Sequence, residues 1–302
     1  MKILDFGSLN LDYVFQVDSI VLPGQTILSN RMTLSTGGKG FNQAVAAARA
    51  GAAVFFAGAL AEKDLPVFQK ILDECGADWS LLDTGHEFTG SAMIQVDRGG
   101  QNCIVLYGGA NQEITRDFIC KVLSGFGNGD VLLLQNEISE LPFLMKQASE
   151  RGMRIFLNPS PVNRQLFECP IEAADTLLLN EIEGLQISGA KQLDEIPDLL
   201  LKKYPEVKIV LTLGKQGVVY ADKNRRLSHG IYDVPIEDTT AAGDTFTGFY
   251  LAGILKDNDA ARALRIASAA SSLAVSRRGA AGSIPTMKEV EAFLRESEKT
   301  KS

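Results

Sequence analysis

Short apolar runs, most of them without polar alternation, recur along this chain of 302 residues and are separated by segments with helical spacing. Such strands are typical of a sheet that is covered on both faces, because all their side chains are buried. Their alternation with helices predicts an α/β fold, a three-layer α/β/α sandwich around a central, mostly parallel sheet. The predicted strands are residues 2–6, 53–57, 131–135, 154–158, 176–179 and 208–212.

The helices are recognised from the spacing of their apolar residues and from their end signals. Leu141, Leu144 and Ala148 recur at helical spacing, which favours a stripe facing the core over a cofactor site. Thr286 followed by Glu289 has the spacing of a capping box at a helix start. The predicted helices are residues 40–50, 66–75, 115–124, 140–151, 194–203, 245–255, 260–277 and 286–295.

Four extended segments interrupt this alternation. Residues 89–97 and 102–108 flank an Arg-Gly-Gly-Gln turn and predict a β-hairpin, and residues 13–21 and 27–35 form a second extended pair. Because an isolated hairpin is only marginally stable, we expect these strands to form one small sheet that projects from the main domain. The predicted division is a main domain of residues 1–12, 36–88 and 109–302 and a β lid of residues 13–35 and 89–108.

Composition and charge exclude several classes of partner. The formal net charge is -7 and there is no basic run, so no nucleic-acid partner is expected. No apolar run approaches the roughly 20 residues that cross a bilayer, and the first residues read as a strand, without the features of a secretion signal. The four cysteines lack a Cys-x-x-Cys spacing, so we expect them to be reduced and mostly buried. We therefore expect a cytoplasmic protein without a membrane partner, of one large domain or two smaller ones.

The sparse histidines exclude two kinds of chemistry. His86 and His229 are the only two in the sequence, which argues against a histidine-rich zinc site. Each lies among turn residues, so surface loops are predicted for both. No Gly-x-Ser-x-Gly sequence is present, which argues against acyl transfer by a serine triad.

Residues 238–246, with the sequence DTTAAGDTF, give the clearest chemical signal. These small residues lead directly into an apolar helix, and the N–H groups of Ala242 and Gly243 would point out of its N-terminus, where an anion is favoured. Asp244 lies at the same place, and proton abstraction from a hydroxyl that attacks a phosphate explains a carboxylate there. A helix-capping role is the alternative for Asp244 alone. With Asp238 preceding the same turn, the stretch predicts a phosphoryl-transfer site.

Residues 37–43, with the sequence GGKGFNQ, precede an alanine-rich helix. The glycines allow close approach of the backbone to a ligand, while Lys39 and Asn42 offer hydrogen-bonding groups to a polyol. The run is not a dinucleotide fingerprint, because Gln43 replaces the third glycine, and it is not a P-loop, because Gly-Lys is not followed by Ser or Thr. Taken alone, it is also compatible with a tight turn before a helix.

Together the two stretches resemble the ribokinase-like (PfkB) family of sugar kinases in order and spacing. The resemblance covers nearly the whole chain and implies transfer of the γ-phosphoryl group of MgATP to a sugar hydroxyl, with D-ribose as the best fit and ribose 5-phosphate as the product. It also implies a lid sheet that covers the sugar and often forms a homodimer interface. Further matching segments are residues 7–12, 134–137, 158–161, 179–183, 212–217 and 278–280.

Site roles follow partly from the residues and partly from the resemblance. We expect Asp244 to be the general base and the backbone N–H groups around it to form an anion hole. For Asn10 and Asp12, a local Asx turn is the alternative to a sugar contact. The predicted anion-hole residues are Ala241, Ala242 and Gly243. The sugar-binding residues that the resemblance implies are Asn10, Asp12, Gly38, Lys39, Asn42 and Glu137.

The nucleotide and its cations are assigned mainly by resemblance. Glycines after an apolar strand are a usual place for ligands in open sheets. Glu183 matches a position that organises Mg²⁺ through water, and Asp238 and Thr240, with residues 276–283, match a site for an activating monovalent cation such as K⁺. The implied nucleotide-binding residues are Asn180, Thr212, Gly214 and Gly217.

Other functions of the same fold stay open. One is a nucleoside kinase or a kinase of another small sugar, such as fructose or deoxyribose. The nucleobase of a nucleoside would need aromatic stacking, for which the lid offers only Tyr13, Phe15 and Tyr107. Another is a non-catalytic sugar sensor, which would have no need of the base Asp244.

Two departures from the family pattern leave details open. Residues 61–67 stand where many relatives carry Gly-x-Asp-x-x-Gly, which leaves the start of the nearby helix undefined. Ser268 stands where His or Asn is frequent beside adenine, which leaves nucleotide preference open.

Overall fold

The computed structural model describes residues 1–299. Over that range a nine-stranded sheet and a four-stranded sheet account for the β-structure. The strands are β1 Ile3–Phe6, β2 Asn10–Gln16, β3 Arg31–Gly37, β4 Val54–Ala61, β5 Asp78–His86, β6 Gly90–Val96, β7 Asn102–Tyr107, β8 Val131–Gln135, β9 Arg154–Asn158, β10 Thr176–Asn180, β11 Lys208–Thr212, β12 Val218–Ala221 and β13 Arg226–His229.

The large sheet is parallel over most of its width. Its strand order is β13-β12-β11-β10-β9-β8-β1-β4-β5, and only the β11–β12 and β12–β13 pairs are antiparallel. In the centre, Phe6 of β1 pairs in register with Ala57 of β4 and Leu134 of β8. The carboxyl ends of β1, β8, β9, β10 and β11 therefore meet at one edge, the usual place for a ligand in an open sheet.

Helices cover both faces of this sheet. Two buried clusters lie on opposite faces of the sheet, and a different set of helices packs against each. The three-layer α/β/α prediction is confirmed. The helices are α1 Lys39–Arg49, α2 Leu65–Cys75, α3 Arg116–Leu123, α4 Leu141–Glu150, α5 Glu181–Ser188, α6 Ile196–Lys203, α7 Ala242–Asp257, α8 Ala260–Val275 and α9 Met287–Lys299.

The four-stranded sheet, hereafter the lid, has the order β3-β2-β6-β7. The predicted hairpin is present as β6 and β7. The second pair is present but displaced from the predicted residues 13–21 and 27–35: β2 begins and ends earlier, at Asn10 and Gln16, and β3 begins and ends later, at Arg31 and Gly37. Residues 17–30 form turns and irregular chain around Pro23 and Gly24. The lid sheet thus includes residues 10–12, which the predicted division assigns to the main domain.

Several elements were not predicted from the sequence. These are β5, α5, β12 and β13, of which β5 and β13 are the edge strands of the large sheet. The surface loops predicted for His86 and His229 were wrong, since these residues end β5 and β13. His86 contacts the Glu113 carboxylate at 2.7 Å, which anchors the end of its strand. Edge strands carry many polar residues, so no continuous apolar run marked them.

The segment that departs from the family pattern forms a compact connection. After β4 ends at Ala61, a 3₁₀ turn leads into α2 at Leu65, with Pro66 in the first helical turn. Proline is suited to that place, because the first N–H groups of a helix have no intrahelical acceptor. The Thr89 hydroxyl donates to Asp64 at 2.6 Å and accepts from the Ala61 N–H at 3.0 Å. The segment therefore ties the end of β4 to the start of the lid.

The cysteines were expected to be reduced and mostly buried. All four cysteines are free thiols, but only Cys169 is buried, so the expectation of mostly buried cysteines was wrong. Cys103 is exposed on the lid strand β7 and Cys120 is exposed on α3.

Within residues 1–299, none of the helices combines the length and apolar character needed to cross a membrane.

Candidate active site

The site is built around the N-terminus of α7. The helix begins at Ala242, three residues before the predicted start, and Ala241 precedes it in the left-handed region with φ 58° and ψ 10°. The Thr245 N–H makes the first helical bond, to the Ala241 carbonyl at 2.8 Å, and the Ala242 N–H reaches the Thr239 carbonyl at 3.3 Å. In the described chain the N–H groups of Gly243 and Asp244 have no acceptor. An anion would therefore be bound best by these two groups.

Asp244 is held on both carboxylate oxygens by α1. Asn42 Nδ2 donates to Oδ2 at 3.0 Å and Gln43 Nε2 donates to Oδ1 at 2.9 Å. Helix α7 packs closely against α1 at Gly248, because glycine has no Cβ. A Cβ at this position would lie 2.5 Å from Cβ of Ala46. Burial raises the pKa of Asp244, while the positive charge of Lys39 and the two amide donors oppose that rise. The Asp244 carboxylate is thus fixed in position, and its negative charge is partly compensated by Lys39 and the two amide groups.

Lys39 and Glu137 form the second charged group of the site. Glu137 accepts from the Lys39 side chain at 2.8 Å, from the Lys39 backbone N–H at 3.0 Å and from the Ser8 hydroxyl at 2.5 Å. Ser8 in turn accepts from the Gly40 N–H at 3.2 Å. Gly38 has a φ of 96°, and a Cβ there would lie 2.7 Å from the Ser8 carbonyl oxygen, so glycine is required. The glycine run is therefore a turn that aims Lys39 at Glu137.

Asn10 and Asp12 lie on β2, where the lid joins the main domain. Both are paired strand residues, which excludes the Asx-turn alternative. The Asn10 side-chain oxygen accepts from Asn111 Nδ2 at 2.8 Å. The Asp12 carboxylate lies against Gly37, and a Cβ at position 37 would collide with it. Burial, together with the negative charge of Glu137, raises the pKa of Asp12 to about 6, so the carboxyl groups of this region interact.

Two neighbouring cavities meet at the start of α7. The first, of about 250 Å³, places Lys39 and Asp244 in one space. The second, of about 280 Å³, extends between the Gly214 turn and α8 and includes Ser268. Residues that line both are Asn180, Thr212, Ala242, Gly243 and Phe246. The shared wall is thus the start of α7 with its free N–H groups, and a charged cavity lies on one side of it and a less polar cavity on the other.

Asn180 and Glu183 form a reciprocal helix cap at the start of α5. Asn180 Oδ1 accepts from the Glu183 N–H at 3.0 Å, and Glu183 Oε2 accepts from the Asn180 N–H at 3.0 Å. Asn180 Nδ2 also donates to Glu183 Oε1 at 3.0 Å. Both carboxylate oxygens of Glu183 are therefore engaged, although the side chain lines the first cavity. Contact with a cation through water fits this geometry better than direct ligation.

Asp238 joins two segments that are distant in sequence. Its Oδ1 accepts from the backbone N–H and the hydroxyl of Thr240 at 2.9 and 2.6 Å, and its Oδ2 accepts from the Gly279 N–H at 3.0 Å. These bonds and the positive charge of Arg278 hold the pKa of Asp238 below its usual value against the opposing effect of burial. Among residues 1–299, no group of three or more His, Cys, Asp or Glu side chains could hold a metal. A cation here would depend on backbone oxygens.

The structure brings together most of the predicted site residues and adds others. Gly217, Thr212 and Gly214 line the second cavity, as the loop after β11 suggested. Several further polar side chains of the site had no role in the sequence-based predictions. Ser8, Gln135, Asn158 and Ser160 lie at or just after the carboxyl ends of β1, β8 and β9, which is a recognisable signal. Gln43 on α1 and Asn111 after β7 carry no such signal.

A helix start with two free N–H groups beside a partly buried carboxylate, at the carboxyl edge of a parallel sheet and next to a small second sheet, is the arrangement expected of a phosphoryl-transfer enzyme of the α/β class. A sequence model of the pfkB family of carbohydrate kinases matches residues 2–287. The chain belongs to this family, whose members transfer a phosphoryl group to a sugar hydroxyl.

Individual relatives match over nearly their whole length. The ribokinase of Haemophilus influenzae is 33% identical, with 95% of this chain and 96% of the relative covered. The ribokinase of Bacillus subtilis is 35% identical, with 95% and 97% covered. Among solved structures, Arabidopsis thaliana ribokinase complexed with ribose and ATP has a TM-score of 0.84 at 26% identity, covering 97% of this chain and 98% of that one. Cryptococcus neoformans ribokinase in complex with ADP has a TM-score of 0.83 at 31% identity, covering 96% and 99%.

Proposed function

We propose that this protein is an ATP-dependent sugar kinase that converts D-ribose to ribose 5-phosphate. The observation that carries the proposal is the position of Asp244, held by Asn42 and Gln43 beside two free N–H groups in a cavity that also contains Lys39. Relatives named ribokinase, and related structures with ribose and ATP or with ADP, support the choice of substrates.

In this proposal Asp244 is the general base. Its carboxylate takes the proton of the attacking sugar hydroxyl, the sugar oxygen forms a bond to the γ-phosphorus, and the bond from that phosphorus to the bridging oxygen of ADP breaks. The N–H groups of residues 241–244 stabilise the charge on the transferring group, with Gly243 and Asp244 contributing most because their donors are free. The raised pKa of Asp244 makes it a stronger base than an exposed carboxylate.

The sugar is proposed to bind between the lid and the main sheet. Asn10 and Asp12 come from β2, and Gly38, Lys39 and Asn42 come from the start of α1. Glu137 keeps Lys39 in place and adds an acceptor. A pentose offers several hydroxyl groups that each donate and accept, and this set supplies both kinds of partner.

ATP is proposed to lie across the two cavities with its phosphates at the start of α7. Asn180, Thr212, Gly214 and Gly217 border the nucleotide, and Ser268 lines the less polar cavity. Mg²⁺ bound with ATP would neutralise phosphate charge, and Glu183 fits a contact through water because Asn180 occupies both its oxygens. Asp238 and Thr240 are proposed to help hold K⁺ through nearby backbone carbonyls.

A homodimer through the lid is proposed from its exposed apolar surface. Leu34, Met93 and Val105 lie in one register row with Tyr13, and their exposed fractions are 52%, 44% and 64%. Exposed apolar sheet surface is an aggregation hazard unless a partner covers it. Sedimentation at micromolar concentration is expected to show a dimer, and Met93→Glu is expected to give a monomer. A monomer alone in the unmodified protein would contradict this proposal.

The direct test measures ADP release from MgATP across a panel of acceptors. D-ribose, deoxyribose, fructose and nucleosides are compared, each in KCl and in choline chloride at fixed ionic strength. We expect release with ribose, faster in KCl. Release with a nucleoside alone would reassign the acceptor, equal rates in choline would remove the potassium site, and silence with every acceptor despite ribose binding would contradict a kinase.

A further inference from the structure

Asp5 is a buried acidic residue that has no part in the roles proposed above. It lies in the middle of the large sheet on β1 and is 0% exposed. An ion pair would be the ordinary explanation for a buried carboxyl group, but no cationic side chain of residues 1–299 contacts it. Among residues 1–299 its hydrogen-bond partner is the amide of Gln135 on β8, at 3.2 Å. A buried titratable group held in this way needs a reason for its presence.

A chain of hydrogen bonds, hereafter the relay, connects Asp5 with Asp244. Gln135 Nε2 donates to Asp5 Oδ1 at 3.2 Å and to Gln43 Oε1 at 2.8 Å. Gln43 Nε2 then donates to Asp244 Oδ1 at 2.9 Å. The four residues come from β1, β8, α1 and α7, so the relay links two central strands to both helices of the site.

The direction of each bond in the relay is determined by its neighbour. An amide nitrogen donates and an amide oxygen accepts. Because the Gln135 nitrogen faces both Asp5 and Gln43, Gln43 must present its oxygen to Gln135 and its nitrogen to Asp244. If Gln135 lost its acceptor on Asp5, its amide could turn over, and Gln43 would then turn its oxygen toward the Asp244 carboxylate.

Burial without a cationic partner favours the neutral form of the Asp5 carboxyl group. Burial raises its pKa well above the ordinary value, the Gln135 hydrogen bond opposes that rise, and the negative charge of Asp244 adds to it. Two buried oxygens of the relay, Asp5 Oδ2 and Gln135 Oε1, have no partner. A proton on Oδ2 would remove the cost of burying a second negative charge near Asp244.

We propose that Asp5 is a positioning residue that, through Gln135, keeps Gln43 turned with its N–H toward Asp244 and so keeps the base ionised. The proposal rests on the assignment of Asp244 as general base. Asp244 is also faced by Lys39, which lowers its pKa, by Glu137, which raises it, and by Asn42, which donates to its other oxygen. Loss of the Gln43 donor removes one of the three groups that hold the pKa of Asp244 down.

The test compares two substitutions at Asp5 in the full-length protein. Asp5→Asn keeps an acceptor for Gln135 and replaces the carboxyl O–H by an N–H, so kcat and its pH profile are expected to stay within about twofold of the unmodified enzyme. Asp5→Ala removes the acceptor. Its kcat is expected to fall about tenfold, with sugar KM little changed and the acidic limb of the kcat profile moved to higher pH.

Two results would overturn the proposal. One is an Asp5→Ala enzyme that is folded and has an unchanged kcat and pH profile; the other is an Asp5→Asn enzyme with the same shifted acidic limb as Asp5→Ala. If Asp5→Ala does not fold, Gln43→Met keeps the side-chain size without the amide and should show the same shift, and its absence would also refute the relay. An active Asp244→Asn enzyme would refute the general base itself, which separates the two failures.

Discussion

Lys39 and Glu137 are joined by two hydrogen bonds, one from the Lys39 backbone N–H at 3.0 Å and one from its side chain at 2.8 Å. The two residues are 98 positions apart, on α1 and after β8. Because the carboxylate binds both ends of the same residue, it fixes the turn and the ammonium group together. The pair thereby couples the glycine-rich turn to the sheet edge.

Replacing Glu137 by Gln tests this coupling. The amide has one acceptor oxygen and no charge, so Lys39 loses an ion pair that is partly shielded from solvent. We expect the sugar KM to rise about tenfold with a smaller change in kcat, because the loss affects binding of substrate. Glu206→Gln is the control, since Glu206 forms an exposed ion pair with Lys223 elsewhere. An equal KM in both variants would show that the pair has no role in binding.

Sugar binding should depend on the ionisation of Asp12. Burial and the nearby Glu137 charge raise its pKa from 3.8 to about 6, against the opposing charge of Lys39. Below about pH 6 the carboxyl group becomes protonated and is a poorer acceptor for sugar hydroxyls, so the sugar KM should rise as pH falls through that value. Asp12→Asn should have a high KM with no such step, and a step that persists in this variant would assign it to another group.

The raised pKa of Asp12 also predicts that the folded protein is less stable when this residue is ionised. A raised pKa means that the ionised form is disfavoured in the folded state, so the contribution of Asp12 to the free energy of unfolding declines as pH rises from 3.8 to about 6. Asp12→Asn should therefore unfold at higher urea concentration than the unmodified protein above pH 6, and not at pH 4.

Gly40 allows the closest approach between α1 and the turn after β1. A Cβ on Gly40 would lie 2.4 Å from the Ser8 nitrogen and 2.5 Å from the Gly7 Cα. Alanine is the better helix former, yet the collision is with backbone, so we expect Gly40→Ala to lower the free energy of unfolding by about 1–3 kcal/mol. Gly127→Ala is the control, because a Cβ there meets nothing within 4 Å. Equal denaturant midpoints would refute the steric account.

Ala241 tests the strained start of α7. With φ at 58° it occupies a region that costs a residue with a Cβ, and a β-branched side chain more. Ala241→Gly is expected to change the free energy of unfolding by less than about 1 kcal/mol and to keep activity, since relief of strain offsets the greater freedom of the unfolded chain. Ala241→Val is expected to cost about 2 kcal/mol or more and to reduce kcat. Equal stability of the valine variant would contradict the assigned conformation.

The central sheet could be predicted because its strands are buried on both faces and therefore read as apolar runs. The edge strands β5 and β13 could not, since their polar residues face solvent. The short helix α5 was missed because Ile182, Leu185 and Ile187 do not lie on one face, so the sequence has no apolar stripe at helical spacing there. Strand limits in the lid depended on pairing with Gly37 and Gly90, which local sequence does not reveal.

The site shows the same division between local and distant information. The position of Asp244 and Lys39 beside one cavity could be anticipated because each lies in a local motif whose backbone geometry follows from glycines and a helix start. Ser8 and Asn111 act through partners 129 and 102 positions away, and no local spacing marks such contacts. Gln135 likewise gains its role from the adjacency of β1 and β8.

The most direct test of the account is the turnover of Asp244→Asn with ribose and MgATP. The substitution keeps the shape and removes the base, so kcat should fall by about 10²–10⁴ while calorimetry shows ribose binding within about threefold. Asp257→Asn, at the other end of the same helix, is the control and should turn over normally. Near-normal turnover by Asp244→Asn would contradict the proposed mechanism.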